Sequence, residues 1–261
     1  MREMMRSASL FCVLGLFALL VPTSASAQVG EYRTDFAVGV NGGYTMSQVS
    51  FQPDVPEGWL GGLTGGVSFR YTCERYFKSI CAIAAEVNYS QMGWKENIED
   101  KDNNPVYYVD DPEKQNPLKY ERRINYIQIP VMARMGWGRE RKGLQAFVQL
   151  GPQIGIYMSE STSTNIIPGK ATQTLRTSVV TAQEDMPVEK KFDYGIIGGA
   201  GIEFSHPKIG HILLEGRYYF GLGNIYGNTK QDYFGKSNQQ AIVIKMSYLF
   251  DIVRTKNDKI K

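Results

Sequence analysis

The stretch from residue 143 to residue 158 reads GLQAFVQLGPQIGIYM, and its apolar and polar side chains alternate along most of its length. Even positions hold aliphatic side chains such as Leu144 and Leu150, whereas odd positions include Gln145 and Gln149. Alternation with a period of two places one kind of side chain on each face of an extended strand. The stretch is therefore predicted to be a β-strand with one apolar and one polar face.

Similar alternation recurs along the chain from residue 36 onward, in segments rich in Val, Ile, Tyr and Phe that turn-forming residues separate. No stretch shows a convincing helical period, so the sequence predicts an all-β fold. The eight predicted strands cover about 36–45, 61–72, 81–92, 121–136, 143–158, 191–205, 210–222 and 240–251.

The predicted connections between these strands alternate strictly between short and long. Short ones follow the second, fourth and sixth strands, at 73–80, 137–142 and 206–209. Long ones follow the first, third, fifth and seventh strands, at 46–60, 93–120, 159–190 and 223–239. This pattern predicts an eight-stranded antiparallel up-and-down transmembrane β-barrel with short periplasmic turns and long extracellular loops.

The distribution of charge decides which face of the barrel meets lipid. The apolar faces are nearly free of charge, which is expensive in a bilayer, so we expect them to face outward. An eight-stranded barrel is just wide enough for its own side chains to fill it, and paired charges would close the lumen. The polar network predicted inside comprises Arg70, Glu86, Arg134, Glu203, Glu215, Arg217 and Lys245.

The first 27 residues differ from the rest of the chain. Arg2 and Arg6 precede a short apolar run, and Ala25-Ser26-Ala27 is a small-residue cleavage site, as in a secretory signal peptide. We therefore expect export to the cell outer membrane. The predicted organisation is a signal peptide at 1–27, a lead-in at 28–35, the barrel at 36–251 and a periplasmic tail at 252–261.

Cys73 and Cys81 are the cysteines of the expected mature chain, since Cys12 lies in the signal peptide. Disulfides persist in the compartment that exported proteins reach, so a bridge between Cys73 and Cys81 is predicted at the foot of the first short hairpin. The alternative is a pair of reduced thiols packed as small hydrophobic groups.

Pro130 lies within a predicted strand, although proline cannot donate a ladder hydrogen bond. A turn centred near Glu140 and Arg141 would bring Pro130 opposite Gly151, beside Pro152. This predicts an inward bulge, and the alternative is a simple bend without functional meaning. The side chains expected to satisfy the freed backbone groups are Gln128, Gln149, Gln153 or Arg134.

The same strand reads INYIQIPVMARMGWG, and its residues Asn125, Tyr126, Ile129 and Pro130 resemble the signature strand of the PorT family of outer-membrane β-barrels from Bacteroides-group bacteria. The glycine-rich strand at 36–44, LEGRYYFGLGNI at 214–225 and YLF at 248–250 extend the resemblance over nearly the whole mature chain. The resemblance implies a barrel fold and a role in type IX protein secretion, without catalytic residues.

The sequence contains no convincing enzyme constellation or cofactor motif. His206 and His211 fall at a periplasmic turn, where a solvated side chain is expected rather than a base beside a nucleophile. The loop at 93–120 holds Asp100, Asp102, Asn104 and Asp111 at spacing similar to a calcium loop. However, Pro105 replaces the glycine of its sharp turn and Asp111 replaces the usual glutamate, which favours surface acidity. A formal net charge of +3 does not indicate nucleic-acid binding.

Three functions are compatible with these features. The first is a non-enzymatic barrel that contacts lipid and supports protein secretion or envelope assembly through its loops or its periplasmic side. The second is an adhesion or structural barrel whose extracellular loops bind partners. The third, a lipid-modifying enzyme, is disfavoured because the histidines are at the wrong end.

Overall fold

The structure is a computed structural model that describes residues 31–76, 78–227 and 229–254. The predicted signal peptide and most of the predicted C-terminal tail lie outside the described residues. The strands are β1 (Glu31–Gln52), β2 (Glu57–Gly58), β3 (Leu60–Tyr76), β4 (Ser79–Glu96), β5 (Tyr120–Gly138), β6 (Gly143–Thr164), β7 (Phe192–His206), β8 (Gly210–Asn224) and β9 (Lys236–Val253), with a one-turn helix, α1 (Ala182–Asp185), between β6 and β7.

The eight long strands close into a ring. Each is hydrogen-bonded to the next long strand along the chain, and β1 is also bonded to β9, with Tyr44 opposite Ile244. The short strand β2 adds to the edge of β4, with Glu57 opposite Glu96. The predicted antiparallel up-and-down barrel is confirmed. Among the described residues, no helix is long and apolar enough to cross a membrane.

The connections alternate as predicted, but the strands extend further than expected toward the long loops. The short turns are 77–78, 139–142 and 207–209, and both ends of the described barrel lie at that same end. The long loops are 53–59, 97–119, 165–191 and 225–235. β1 continues to Gln52 and β6 to Thr164, so the barrel wall rises beyond the part that the sequence predicted.

The lower part of the wall, next to the short turns, is apolar outside. Its outward side chains run from Phe36 to Met46 on β1 and from Ile242 to Ile252 on β9, and we call this band the membrane belt. Met246 within it is 62% exposed. At about 3.3 Å per residue and a typical tilt of about 40°, ten residues span about 25 Å, the height of the apolar band of such barrels.

The polarity of the two faces reverses above the membrane belt. On β1, Gln48 and Ser50 point outward, whereas Val49 and Phe51 are buried inside. The strand thus keeps its period of two while the apolar residues change face. This reversal is expected where the wall leaves lipid, because its outer surface then meets water and its inner surface can hold an apolar core.

The prolines interrupt the ladder without shifting its register, so the predicted bulge at Pro130 is wrong. Pro130 is opposite Gln153 rather than Gly151, and Ala133 is opposite Leu150 in the same register. Pairing with β4 likewise resumes in register on both sides of Pro130. The β5–β6 register shift lies instead between Asn125 and Tyr126. The missing N–H groups remove individual rungs, which requires no extra residue.

Candidate functional site

The lower part of the lumen contains a cluster of buried charges centred on Glu203. Arg70 Nη1 donates to Glu203 Oε1 at 2.6 Å, and Arg134 donates to Glu203 Oε2. His211 Nδ1 lies 2.7 Å from Glu203 Oε1, and its Nε2 lies 3.1 Å from Asp251 Oδ2. We call these five residues the lower cluster. Burial of a carboxylate is costly unless charges pair with it, and here two guanidiniums do so.

A second group of buried charges, the middle cluster, lies further from the short turns. Arg217 donates to both carboxylate oxygens of Glu86, at 2.9 and 2.7 Å, and to Glu215 at 2.6 Å. Lys245 also donates to Glu86. Gln149 Nε2 donates to Glu215 Oε2 at 2.7 Å. The lower and middle clusters together contain all seven residues named for the lumen network in the sequence.

The two cavities that the described residues line at these levels of the lumen are small. A cavity of about 30 Å³ is lined by residues of the lower cluster, and one of about 10 Å³ lies between Arg70, Arg134 and the middle cluster. A cavity needs roughly 10–15 Å³ to hold one water molecule. These two cavities therefore offer room for water molecules but not for an open channel.

His211 differs from its sequence-based expectation. It is 5% exposed and turned into the lumen, whereas His206 is half-buried at the turn. Ser205 Oγ lies 2.8 Å from His211 Nδ1, but Ser205 is fully buried and its hydroxyl also donates to Glu203. A nucleophile must reach its substrate, so these contacts bind the barrel end together rather than form a reactive site.

The upper lumen, above the membrane belt, is filled by aromatic rings. Phe51 packs against Trp94 and Phe234 with centroid distances of 5.2 and 5.1 Å, and Tyr226 stacks on Phe234 at 5.4 Å. Tyr120 lies beside Trp94. This aromatic core belongs to strand extensions and loops that the alternation pattern predicts to be connections, so the pattern does not predict it.

Arg122 contacts both the loop 165–191 and the aromatic core. Its Nη2 donates to the carbonyl of Glu184 at 3.1 Å, its Nη1 donates to the carbonyl of Met186, and its guanidinium lies 5.6 Å from the Trp94 ring centroid. Gln183 in α1 is fully buried and donates to Glu96 at 2.8 Å. The loop therefore folds into the mouth of the barrel and closes it.

The loops 97–119 and 165–191 form one folded unit, which we call the cap. Tyr108 is bridged to Thr172, Val109 N donates to the carbonyl of Ala171 at 3.2 Å, and Lys170 pairs with Asp110 at 2.7 Å. Within the calcium-like stretch, Asp100 Oδ1 accepts from the backbone amides of Asp102 and Asn104. The described residues contain no group of three or more acidic, His or Cys side chains that could hold a metal ion.

Two carboxylates beside the cap have raised pKa values. Burial raises the pKa of Glu57 to about 8, and the nearby charges of Asp54 and Glu96 add to the effect. The pKa of Glu96 is also raised, chiefly by burial, although Arg176 Nη2 donates to it at 2.9 Å. Glu57 Oε2 accepts from the amide of Val49 at 3.0 Å, so this carboxyl joins β2 to β1.

The outer surface of the cap exposes several apolar side chains. Leu175 is 83% exposed, Val179 88%, Val109 59% and Ile167 53%. Apolar side chains exposed singly are ordinary, but four of them on two loops that are bonded together form a candidate contact surface.

The residues of the predicted signature strand are divided between the two faces of the wall. Tyr126 is buried inside and accepts from Gln239 at 2.8 Å, and Pro130 is also buried. Asn125 points outward and donates to Ser159 Oγ at 2.9 Å, and Ile129 shares its face. The four residues therefore do not form a single site.

The predicted disulfide is not formed in the structure, where Cys73 and Cys81 are both free thiols. A register shift between Thr72 and Glu74 makes Cys73 the extra residue of a bulge, and Glu74 takes the position opposite Cys81. The prediction assumed an unbroken register at the end of the hairpin. The bulge removes that pairing.

Comparison with known proteins places the chain among outer-membrane barrels. The family described as "Outer membrane protein beta-barrel domain" matches residues 26–227. No curated protein matches the sequence. Similar solved structures include Ail, the attachment invasion locus protein of Yersinia pestis, at 13% identity and TM-score 0.32 over 82% of this chain and 98% of that one.

Two further similar structures come from other bacteria. Neisserial surface protein A (NspA) is 9% identical with TM-score 0.39, over 82% of this chain and 97% of that one. OprG from Pseudomonas aeruginosa is 12% identical with TM-score 0.38, over 85% of this chain and 98% of that one.

Proposed function

Because the chain belongs to the outer membrane protein beta-barrel domain family, we propose that it is a non-enzymatic, non-conducting barrel that binds another protein through its extracellular cap. The observation that carries this proposal is the folded cap with its exposed apolar side chains. Ordering a loop costs conformational entropy, and a surface that is already ordered does not pay that cost again on binding.

A role in protein secretion is the finer form of this proposal. It is supported by the resemblance of residues 124–138 and three other stretches to the PorT family. Since the lumen at the lower and middle clusters has room only for water, cargo would not pass through this barrel. The chain would instead hold or position secretion or envelope proteins, from the cap or from the periplasmic turns.

Adhesion is the second candidate, and the position of the apolar surface favours it. Leu175 and Val179 lie on the side of the barrel that faces away from the cell, where environmental partners arrive. The two candidates differ in where the partner resides.

Deletion of the gene separates these candidates. For a secretion role, we expect loss of secreted cargo from the medium, measured by quantitative mass spectrometry, and recovery on complementation. Normal export together with reduced binding of cells to a surface or to host protein would favour adhesion instead.

Variants of the cap test whether its apolar surface acts in either role. Leu175→Ser combined with Val179→Ser is expected to lose the same function as the deletion while the protein keeps heat-modifiable migration in detergent gels. Thr177→Ala, an exposed neighbour in the same loop, is the matched control. Full function of the double variant would contradict a contact surface at the cap.

A further inference from the structure

The lipid-facing wall carries an apolar groove of about 470 Å³ across β3 to β6. Its floor contains Ala133, which is flanked by Ile83 on β4 and Leu150 on β6 in the same row of the sheet. The next row toward the short turns contains Cys81, Met135 and Val148. The small side chain of Ala133 lies between two larger ones that are 48% and 61% exposed, and this difference in size produces the depression.

The groove lies in the half of the membrane belt next to the short turns. Ala133 is five residues from the end of β5 at Gly138, which corresponds to about 16 Å of strand. One leaflet contributes about half of the 30 Å hydrocarbon core, so an acyl chain is about as long as this part of the wall. Trp137, 41% exposed near the end of the strand, is placed as an interfacial aromatic anchor.

The two short turns beside the groove carry positive charge. Lys78 comes from the turn between β3 and β4, and Arg139 and Lys142 come from the turn between β5 and β6. All three side chains are exposed, and none forms an ion pair with another residue that the structure describes. The two strand pairs are adjacent, because β4 is bonded to β5, so the turns are neighbours at the barrel rim.

We propose that the groove and these two turns form a binding site for an anionic phospholipid of the inner leaflet. One acyl chain occupies the groove over Ala133, and the headgroup phosphate is bound by Lys78, Arg139 and Lys142. The apolar lining favours an acyl chain, and the three exposed cations favour a negatively charged headgroup over a zwitterionic one. The site is separate from the cap and does not depend on the function proposed for it.

Native mass spectrometry on the detergent-purified full chain, equilibrated with equal amounts of phosphatidylglycerol and phosphatidylethanolamine, tests this proposal. The wild-type protein is expected to retain one phosphatidylglycerol preferentially. Lys78→Ala with Arg139→Ala and Lys142→Ala is expected to reduce that preference roughly tenfold or more, since each basic residue contributes to the attraction. Ala133→Trp, which fills the groove, is expected to reduce retention of both lipids.

Matched controls use the opposite side of the barrel. Lys208→Ala removes an exposed cation from the third short turn, and Met246→Trp enlarges a lipid-facing side chain on β9. Both are expected to retain phosphatidylglycerol as the wild type does, and heat-modifiable migration verifies that every variant is folded. Equal retention of the two lipids by the wild type, or unchanged preference in the triple variant, would overturn the proposal.

Discussion

At the scale of single residues, Glu203 neutralises more buried charge than any other side chain of the lower cluster. Glu203→Gln would leave the guanidiniums of Arg70 and Arg134 without their shared carboxylate. Removing one partner of a buried ion pair costs about 3–5 kcal/mol, because the remaining charge stays desolvated. We expect the free energy of unfolding to fall by about this amount, measured by urea titration of the micelle-bound protein.

The control for this measurement is Glu113→Gln, on an exposed loop side chain. It is expected to change the free energy of unfolding by less than about 0.5 kcal/mol, as most surface substitutions do. Equal stability of the Glu203→Gln variant and the wild type would show that the lower cluster does not stabilise the barrel.

The raised pKa of Glu57, which lies beside the cap, predicts that the stability of this end of the barrel depends on pH. Its pKa is raised from an ordinary value of 4.5 to about 8 in the folded protein. Between these two pH values, the folded state therefore keeps a proton that the unfolded state has lost. Stability from this carboxyl is therefore fully present below pH 4.5 and is lost as the pH rises to about 8. Glu96, also with a raised pKa, acts in the same direction.

We expect proteolysis of the cap loops to become faster between pH 6 and pH 8.5, while the heat-modifiable migration of the barrel in detergent gels stays unchanged. Glu57→Gln keeps a polar side chain without the titration, so its cleavage rate should rise less over this range, with Glu96 responsible for the remainder. Rates are measured by mass spectrometry and corrected for the activity of the protease on an unfolded peptide. Identical pH profiles of variant and wild type would exclude Glu57 as the titrating group.

At the scale of strands, the missing residue pairs show toward which neighbouring strand a backbone N–H at each proline position would point. Pairing with β4 is absent at Pro130, and pairing between β5 and β6 is absent beside Pro152. An N–H at residue 130 would thus point to β4. Pro130→Ala is expected to gain that bond, worth about 0.5–1.5 kcal/mol, and to lose about 0.4–1 kcal/mol through greater freedom of the unfolded chain.

The net stability of Pro130→Ala should therefore differ from that of the wild type by no more than about 1 kcal/mol. The decisive measurement is hydrogen exchange of the new amide, which we expect to be as slow as its neighbours in β5. Pro152→Ala is the companion variant, with its new amide directed to β5. Exchange at the rate of an exposed loop would mean that the local backbone does not permit a ladder bond.

The strands also illustrate how far the sequence determined the fold. Strand number, order and the alternation of turns followed from the period-two pattern and from the spacing of turn residues. The ends of β1 and β6 did not, because apolar residues change face at the top of the membrane belt. On β1 the pattern continues at Val49 and Phe51, with the opposite parity from Val40 and Tyr44. A search that allowed this change of face would have found the extension.

The candidate site was predictable to a similar degree. Parity within each strand placed all seven predicted charges on the lumen face, and the same parity applied to His211, which lies two residues before Leu213 and four before Glu215. The prediction of a solvated His211 rests on its position near a turn and not on this parity. The pairing of individual charges and the folding of the cap depend on contacts across the ring, which no local pattern encodes.

At the scale of the whole molecule, the barrel consists of two levels with opposite polarity. The membrane belt is apolar outside and contains paired charges inside, whereas the upper level is polar outside and contains the aromatic core. The lumen is thus filled by ion pairs in one level and by rings and loop residues in the other. Two separate structures close it.

This arrangement makes a specific prediction about ion conductance. In a planar lipid bilayer, the wild-type protein is expected to show no current above that of the protein-free membrane. A variant in which a short Gly-Ser linker replaces residues 166–190 should also stay closed, because Glu86, Arg217 and Lys245 still occupy the lumen beneath the missing loop. Adding Glu86→Ser, Arg217→Ser and Lys245→Ser to this deletion should not open a steady current either, because Arg70, Arg134 and Glu203 of the lower cluster still fill the lumen next to the short turns. Each recording requires protein with heat-modifiable migration, and steady current through the loop deletion alone would show that the cap is the sole closure.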